Sequence, residues 1–245
     1  MNLSLDLVVF LIGTFAAAFV TGLSGFAFGL VAAAVWLQAL APAQTTALIV
    51  AYALIVQGYA VLRLRKSVMA SRLWPFIFGS AVGVPMGLAL LNVLAAGHLK
   101  LGIAVTLILF SLYNLFRPKM PSVSWLGRPG DGVVGVLNGV LGGATGLAGI
   151  LVVIWSSLRG WPPNEQRAVF QPTAVVTFAM CLAAFGSTGL ISGEVARLFA
   201  FGLPALLLGT IAGWALYGKL DEAMFRKVVL WLLLASGISL LVPGQ

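Results

Sequence analysis

The feature that most constrains this chain is a series of long apolar segments with the charged residues kept to their ends. Charged residues make up 8% of the 245 residues and hydrophobic residues 61%, whereas a water-soluble domain carries about 25% charged residues. Several segments are long enough to cross a hydrocarbon core of about 30 Å as helices, and the alternation typical of a membrane β-barrel is missing. The sequence therefore predicts an all-α, polytopic membrane protein in contact with the lipid bilayer.

A weak internal repeat divides the chain into two halves. Residues of the first half match residues 121 positions later and, further along, 126 positions later, without gaps within each run. We predict an N-terminal repeat at 1–117, a polar, proline-containing linker at 118–130 and a C-terminal repeat at 131–245. The matched pairs are Gly22/Gly143, Gly25/Gly146, Ala27/Ala148, Leu30/Leu151, Val31/Val152, Pro42/Pro163 and Ala47/Ala168, then Gly83/Gly209, Gly87/Gly213, Leu90/Leu216, Lys100/Arg226 and Leu107/Leu233.

Each half contains five apolar segments. Because five is odd, the second half would start on the opposite side of the membrane from the first, so the two repeats would have inverted topology, as in many transporters. The segments are 5–22, 25–40, 43–62, 73–94 and 99–116 in the first half, and 131–143, 147–158, 164–190, 195–217 and 226–242 in the second.

The basic residues support this count. If the chain changes sides after every segment, twelve of the 14 Lys and Arg residues fall on one side and only Lys100 and Arg197 on the other. If the first two segments of each half instead form one crossing, eight Lys and Arg residues fall on one side of the membrane and six on the other. The positive-inside rule therefore favours five segments per half, with the linker in the cytoplasm and both termini extracytoplasmic in a multi-pass protein of the cell (inner) membrane. It also accounts for the net charge of +8 without nucleic acid as a partner.

The first two segments of each half are expected to form a re-entrant hairpin. Segment 131–143 has 13 residues, which is about 20 Å of helix and too short to cross. The connections 21–25 and 142–146 carry no charge, so they need not reach water. A hairpin that enters and returns leaves the orientation of every other segment unchanged, so the charge count still holds.

The hairpin tips are the best candidates for a binding site. We expect the second helix of each hairpin to begin at Ser24-Gly25 and at Thr145-Gly146, where free N–H groups and the positive end of the helix dipole would face a small anionic substrate. Two such N-termini arriving from opposite sides would form one anion site. The alternative is that the glycines only permit close helix packing.

Further polar residues at membrane depth are candidate substrate ligands. Asn138, Gln57 and Gln171 could contact the substrate or could hydrogen-bond a neighbouring helix; for Gln171, Pro172 frees a backbone carbonyl in the preceding turn. Arg159 and Arg167 flank the inner mouth of the second hairpin and could attract an anion there, or could serve only to set topology.

The acidic residues all lie at segment ends. Proton- and sodium-coupled carriers usually place a carboxylate within the membrane, so the sequence offers no obvious coupling site. An anion leaving the cell needs none, because export of one negative charge gains about 2.3 kcal/mol per 100 mV. We see no metal cluster, no cofactor motif and no paired carboxylates, and expect neither metal nor cofactor.

The inverted halves, the glycine-rich hairpins and the run from Gly142-Gly-Ala-Thr-Gly146 to Arg167-Ala-Val-Phe-Gln-Pro-Thr173 resemble the TauE/SafE family of sulfite and organosulfonate exporters. The resemblance covers most of the chain and implies export of a small sulfur-containing anion such as sulfite, sulfoacetate or a related sulfonate. The chain departs from the commoner family form at Ala144 and Thr145, where a longer glycine run is often found.

Three other functions are compatible with parts of the sequence. Gly22-Leu-Ser24-Gly25 matches the GxSG string of rhomboid intramembrane proteases, but the single histidine, His98, lies at a segment end, so we expect no enzyme activity. A passive anion channel and a purely structural subunit are not separated from a carrier by the sequence. The oligomeric state stays open, and a homodimer is one arrangement that the composition allows.

Overall fold

A computed structural model describes residues 3–24, 27–64, 70–116, 126–216 and 222–241. These residues form ten α-helices, five in each predicted half, and no strand. The helices are α1 (Leu3–Ser24), α2 (Phe28–Trp36), α3 (Pro42–Leu64), α4 (Ala70–Val93), α5 (Ala96–Phe116), α6 (Gly127–Thr145), α7 (Ile150–Leu158), α8 (Pro163–Thr188), α9 (Gly193–Leu216) and α10 (Glu222–Leu241).

The lengths and compositions of the helices are those of a membrane protein. Among the described residues, α1, α3, α4, α5, α8 and α9 contain segments long and apolar enough to span a bilayer. The second helix of each half has only nine residues, about 14 Å, which is roughly half of the hydrocarbon thickness. The chain is thus a multi-pass helical membrane protein in which two helices are too short to cross.

The helix boundaries differ from the predicted ones around both hairpins. The helix predicted at 131–143 begins at Gly127, inside the predicted linker, and its 19 residues extend about 28 Å; the length argument for re-entry therefore applies to α2 and α7 and not to α6. The second helices begin at Phe28 and Ile150, several residues later than predicted.

Two compact units form, and each combines helices from both halves of the sequence. The first unit consists of Met1–Tyr52, Leu94–Pro118 and Ile191–Gln245, and the second of Ala53–Val93 and Lys119–Leu190. In the first, α1 packs against α9 and α5 against α10; in the second, α6 packs against α4, and α4 also packs against α8. In each unit, the first helix of one half therefore packs against the fourth helix of the other half.

An aromatic cluster forms the core of the first unit. Phe10, Phe28, Trp36 and Tyr52 are fully buried, with ring centroids 5.1–6.1 Å apart. The two polar groups of the cluster donate to backbone carbonyls. Trp36 Nε1 donates to Phe10 O at 3.2 Å, and Tyr52 Oη donates to Phe199 O at 2.7 Å. The cluster joins α1, α2 and α3 through aromatic contacts.

Glycines bring α4 and α6 into backbone contact in the second unit. Glycines recur every four residues on both helices, at 79, 83 and 87 of α4 and at 135, 139 and 143 of α6. A Cβ atom at Gly139 would lie 2.5 Å from Ser80 O, and one at Gly143 would lie 2.7 Å from Val84 O. Side chains here would force the helices apart, so the glycines set the close approach that the polar residues of this unit require.

Candidate functional site

The tip of the second hairpin is a four-residue turn, 146–149, that begins and ends with a left-handed glycine. Gly146 closes α6 with φ 75°, and Gly149 opens α7 with φ 92°; both values favour glycine. Thr145 is therefore the last residue of α6 and not the first of α7. Its hydroxyl donates to Leu141 O at 2.6 Å and accepts the N–H of Leu147 at 3.3 Å, so the hydroxyl shapes the turn through backbone contacts.

Asn138 is the centre of the polar network beneath this tip. Its side chain is fully buried, and Oδ1 accepts the backbone N–H of Gly149 at 2.6 Å. Nδ2 donates to Ser80 Oγ of α4 at 3.2 Å and to Thr177 Oγ1 of α8 at 3.3 Å. A carboxamide has two N–H donors, so both are used within the protein. Asn138 connects α6 to three other helices.

The network has a fixed donor direction. Ser80 Oγ donates to Gly135 O at 3.1 Å, and Thr177 Oγ1 donates to Thr173 O at 2.8 Å. Because both hydroxyl hydrogens go to backbone carbonyls, the hydroxyl oxygens are left to accept from Asn138. An amide fits this pattern, while a carboxylate or an alkyl group would leave at least two partners unmatched.

The network holds the N-terminus of α7 in place. The first helical hydrogen bond runs from Val153 N to Gly149 O at 3.0 Å, so the N–H groups of Ile150, Leu151 and Val152 have no intrahelical acceptor. Ile150 is 9% exposed and Val152 is fully buried. Free N–H groups and a positive dipole end in buried surroundings attract the oxygen atoms of an anion.

Ionic contacts fix the base of the same hairpin. Asp131 is buried, accepts a hydrogen bond from Trp155 Nε1 at 2.7 Å, and lies 3.6 Å from Arg159 NH1. Arg159 also donates to Gly127 O at 3.0 Å. The sequence left open whether Arg159 attracts substrate or sets topology; in the structure its guanidinium is engaged in joining the end of α7 to the start of α6.

A second basic residue continues this cluster. Arg72, in the first turn of α4, forms an ion pair with Glu165 of α8. The Trp161 ring lies between two guanidinium groups, 4.8 Å from Arg72 and 5.5 Å from Arg159. Each arginine therefore has its own carboxylate and a shared aromatic ring, an arrangement that stabilises the ends of α4, α7 and α8.

The remaining predicted residues of the second unit lie on α3 and α8. Gln57 is 7% exposed, and its Oε1 has no hydrogen-bond partner among the described residues. Gln171 is 4% exposed and Arg167 is exposed. These two are four residues apart on one face of α8, about 6 Å along the axis, so this face leads from the surface to the interior. The hydrogen bonds of Asn138 go to Ser80, Thr177 and Gly149 and not to Gln57, Gln171 or Arg167.

The tip of the first hairpin is only partly described. Ser24 ends α1, and Gly25 lies outside the described residues, so their predicted roles stay predictions. Ala27 precedes α2 with φ 82°, the one positive φ of a non-glycine residue in the described part of the chain. His98, considered for protease chemistry, is exposed near the start of α5.

Sequence reasoning missed the partners that organise the site. Ser80, Thr177 and Gly149 were not among the predicted residues, although they surround Asn138. The available signals were a serine inside the glycine repeat of α4 and two threonines one turn apart on α8, at 173 and 177. As for metals, the described residues contain no group of three His, Cys, Asp or Glu side chains that could hold an ion.

Comparison with known proteins identifies the family. Neither the curated proteins nor the solved structures gave a match. The family model described as "Sulfite exporter TauE/SafE" matches residues 9–240, nearly the whole chain and all ten helices in part or in full. This match agrees with the resemblance noted from the glycine-rich hairpins and with the multi-pass helical fold. The chain belongs to the sulfite exporter TauE/SafE family.

Proposed function

We propose that this protein exports a small sulfur-containing anion, such as sulfite, sulfoacetate or a related sulfonate, across the cell's inner membrane. Membership of the family supports transport of such an anion. The single structural observation that carries the proposal is the buried N-terminus of α7, held by the hydrogen bond from Gly149 N to Asn138 Oδ1 at 2.6 Å.

The binding step follows from this geometry. A sulfite or sulfonate group has three oxygen atoms that share negative charge, and they accept the N–H groups of the first turn of α7. Gly146 and Gly149 present no side chain at the turn, so the backbone is open to close approach. Binding through N–H groups without a buried cation leaves the anion free to dissociate, as a carrier requires.

A path to this tip runs along α8. Arg167 is exposed and raises the local concentration of anions by its charge. Gln171, one turn further along the same face, is a buried polar residue. We propose these two residues as successive contacts on the cytoplasmic side, before the anion reaches the tip of the second hairpin.

The topology that we propose has inverted repeats at 1–117 and 131–245, with re-entrant hairpins and both termini extracytoplasmic. The two halves have similar helix lengths in the same order: 22, 9, 23, 24 and 21 residues, then 19, 9, 26, 24 and 20. A nine-residue second helix in each half supports a segment that enters the membrane and turns back.

Export driven by the membrane potential is the energetics that we propose. Asp131 is the acidic side chain that is buried among the described residues, and it lies at the base of the hairpin beside Arg159 rather than within the membrane interior. A proton or sodium ion therefore has no carboxylate at the proposed site to bind. A negative interior favours outward movement of an anion.

Transport assays on the full chain in proteoliposomes test this proposal. Uptake of labelled sulfite and sulfoacetate is expected to saturate and to show counterflow, in which unlabelled anion on one side drives labelled anion to the other. Linear flux without counterflow would instead identify a passive channel. Absence of flux for sulfite, sulfoacetate, sulfolactate and sulfate would contradict the proposed function.

A further inference from the structure

We infer that Asn138 is a positioning residue, and that the anion site is built in the second unit alone, once per chain. This inference rests on the proposed function, because it concerns how the N-terminus of α7 acquires its binding geometry. It revises the sequence interpretation in two respects: Asn138 acts on the protein and not on the substrate, and the two hairpins do not contribute equally.

The donors and the acceptor of the Asn138 amide are all used within the protein. Its oxygen accepts the N–H of Gly149, and its two N–H groups donate to Ser80 and Thr177. No donor is left for an anion. The side chain is also fully buried, as is that of Thr177. The substrate therefore contacts the N-terminus of α7, which the network orients, and does not contact the network itself.

The network fixes the orientation of the first turn of α7. Gly149 has φ 92°, and its N–H points to Asn138 instead of towards the turn. Because α7 begins at the next residue, the direction of that N–H sets the orientation of the first helical turn and of its free N–H groups. A Cβ atom at Gly149 would lie 3.1 Å from Ala174 Cβ, so the turn is also confined from the side of α8.

The residues at the positions related to the Asn138 network by the repeat are different. The offset of 121 residues that relates the hairpins places Ala17 at the position of Asn138 and Val56 at that of Thr177; the offset of 126 places Leu206 at that of Ser80. All three are buried apolar residues. At these three repeat-related positions, the network of one amide and two hydroxyls therefore has no polar counterpart.

The first hairpin is organised by different chemistry. Its second helix is preceded by Ala27 and not by glycine, with φ 82°, and it is held by aromatic rings whose polar edges meet backbone carbonyls. Phe28 stands where the repeat has Gly149, so a bulky ring begins α2. In the described residues, the first hairpin packs through aromatic rings, whereas the second is held by the hydrogen bonds of Asn138.

A hydroxyl deletion with a close control tests the role of the network. Thr177→Val removes the acceptor of one Asn138 N–H, while Thr173→Val removes a hydroxyl of the same helix that is equally buried and bonded to Val169 O at 2.8 Å, but is not a partner of Asn138. Thr177→Ser keeps the hydroxyl. Isothermal titration of the full chain in detergent, with sulfite as the probe, gives affinity and stoichiometry together.

Wild type is expected to bind one sulfite per chain. Loss of one hydrogen bond in the network is expected to raise the Kd of Thr177→Val about 3- to 10-fold, with Thr177→Ser and Thr173→Val within about twofold of wild type. The melting temperature of Thr177→Val is expected to lie below that of Thr173→Val, because Thr177→Val also leaves one buried Asn138 N–H without an acceptor. Asn138→Asp, which places a carboxylate below the helix N-terminus, is expected to raise the Kd more than about tenfold.

Each contrary result has a distinct meaning. Equal changes of Kd in Thr177→Val and Thr173→Val would overturn the positioning role of Asn138, and two sulfites per chain would overturn the single site, with the proposed function intact in both cases. If wild type binds neither sulfite nor sulfoacetate, the proposed function itself fails, and this inference fails with it.

Discussion

The amide oxygen of Asn138 and the backbone nitrogen of Gly149 lie 2.6 Å apart across the tip of the second hairpin. Eleven residues separate them in the chain, and the turn between them contains the two left-handed glycines at 146 and 149. This contact converts a flexible glycine-rich turn into a helix start of defined direction. The predictions below follow from it and from the packing that surrounds it.

Gly149→Ala is expected to reduce the transport rate by more than the accompanying loss of folding stability can explain. Alanine in the left-handed region costs about 1–2 kcal/mol, and its Cβ would meet Ala174 Cβ at 3.1 Å, displacing the start of α7. Gly160→Ala is the control, because Gly160 also has a left-handed φ of 70° but open space around the added Cβ. Proteoliposome flux is expected to fall at least tenfold in Gly149→Ala and little in Gly160→Ala; equal losses would contradict the role of the tip.

Gly139→Ala is expected to separate α4 from α6. The new Cβ would lie 2.5 Å from Ser80 O, and overpacking of this kind costs about 1–3 kcal/mol. Gly132→Ala on the same helix meets nothing within 4 Å and gains up to about 1 kcal/mol of helix propensity. The melting temperature in detergent is expected to fall for Gly139→Ala and to stay level or rise for Gly132→Ala. A stable Gly139→Ala protein would show that the close approach of these helices is not required.

Asp131→Asn is expected to destabilise the base of the second hairpin. The amide can still accept the Trp155 Nε1 hydrogen bond, but the charge beside Arg159 is lost, at a cost of about 1–3 kcal/mol for this largely buried pair. Glu194→Gln is the control, since Glu194 is exposed and accepts a hydrogen bond from Gln44; its effect is expected to stay within about 0.5 kcal/mol. Thermal unfolding measures both, and equal melting temperatures would argue against a structural role for the Asp131–Arg159 pair.

Arg167→Gln is expected to raise the KM for the anion about two- to fivefold at low ionic strength, and less at high ionic strength, because an exposed charge acts by attraction that salt screens. Arg197→Gln removes another exposed arginine, on the side that the proposed topology places outside. Its KM for cytoplasmic anion is expected to stay at the wild-type value. Initial rates in right-side-out and inside-out vesicles measure both, and an equal effect of the two variants would contradict the proposed path along α8.

The helices were predictable because most apolar segments are long, and the ends of most segments carry prolines, glycines or charges. The geometry of the turn between α6 and α7 was not predictable from the sequence. The run from Gly142 to Gly149 contains four glycines, and sequence cannot tell which of them take left-handed conformations. Thr145 was therefore placed at the start of α7, although it closes α6.

The partners of Asn138 were beyond reach for a different reason. Ser80 and Thr177 are 58 and 39 residues away. Ser80 lies on α4 of the other sequence half and Thr177 on α8 of the same half, so both reach Asn138 only through tertiary packing. A repeat predicts that two halves are alike; it does not predict that their helices pair across halves. Asn138 was predicted as a candidate substrate ligand, which stays a prediction, and its hydrogen-bond partners come from tertiary packing.

Anion efflux under an imposed membrane potential tests the central claim most directly. Proteoliposomes loaded with labelled sulfite or sulfoacetate receive a potassium diffusion potential, with equal pH and sodium on both sides. Export driven by charge predicts that an inside-negative potential of 100 mV accelerates efflux and that the anion distribution shifts up to about 50-fold per negative charge at equilibrium. Efflux that ignores the potential and instead follows a proton or sodium gradient would contradict export driven by charge alone.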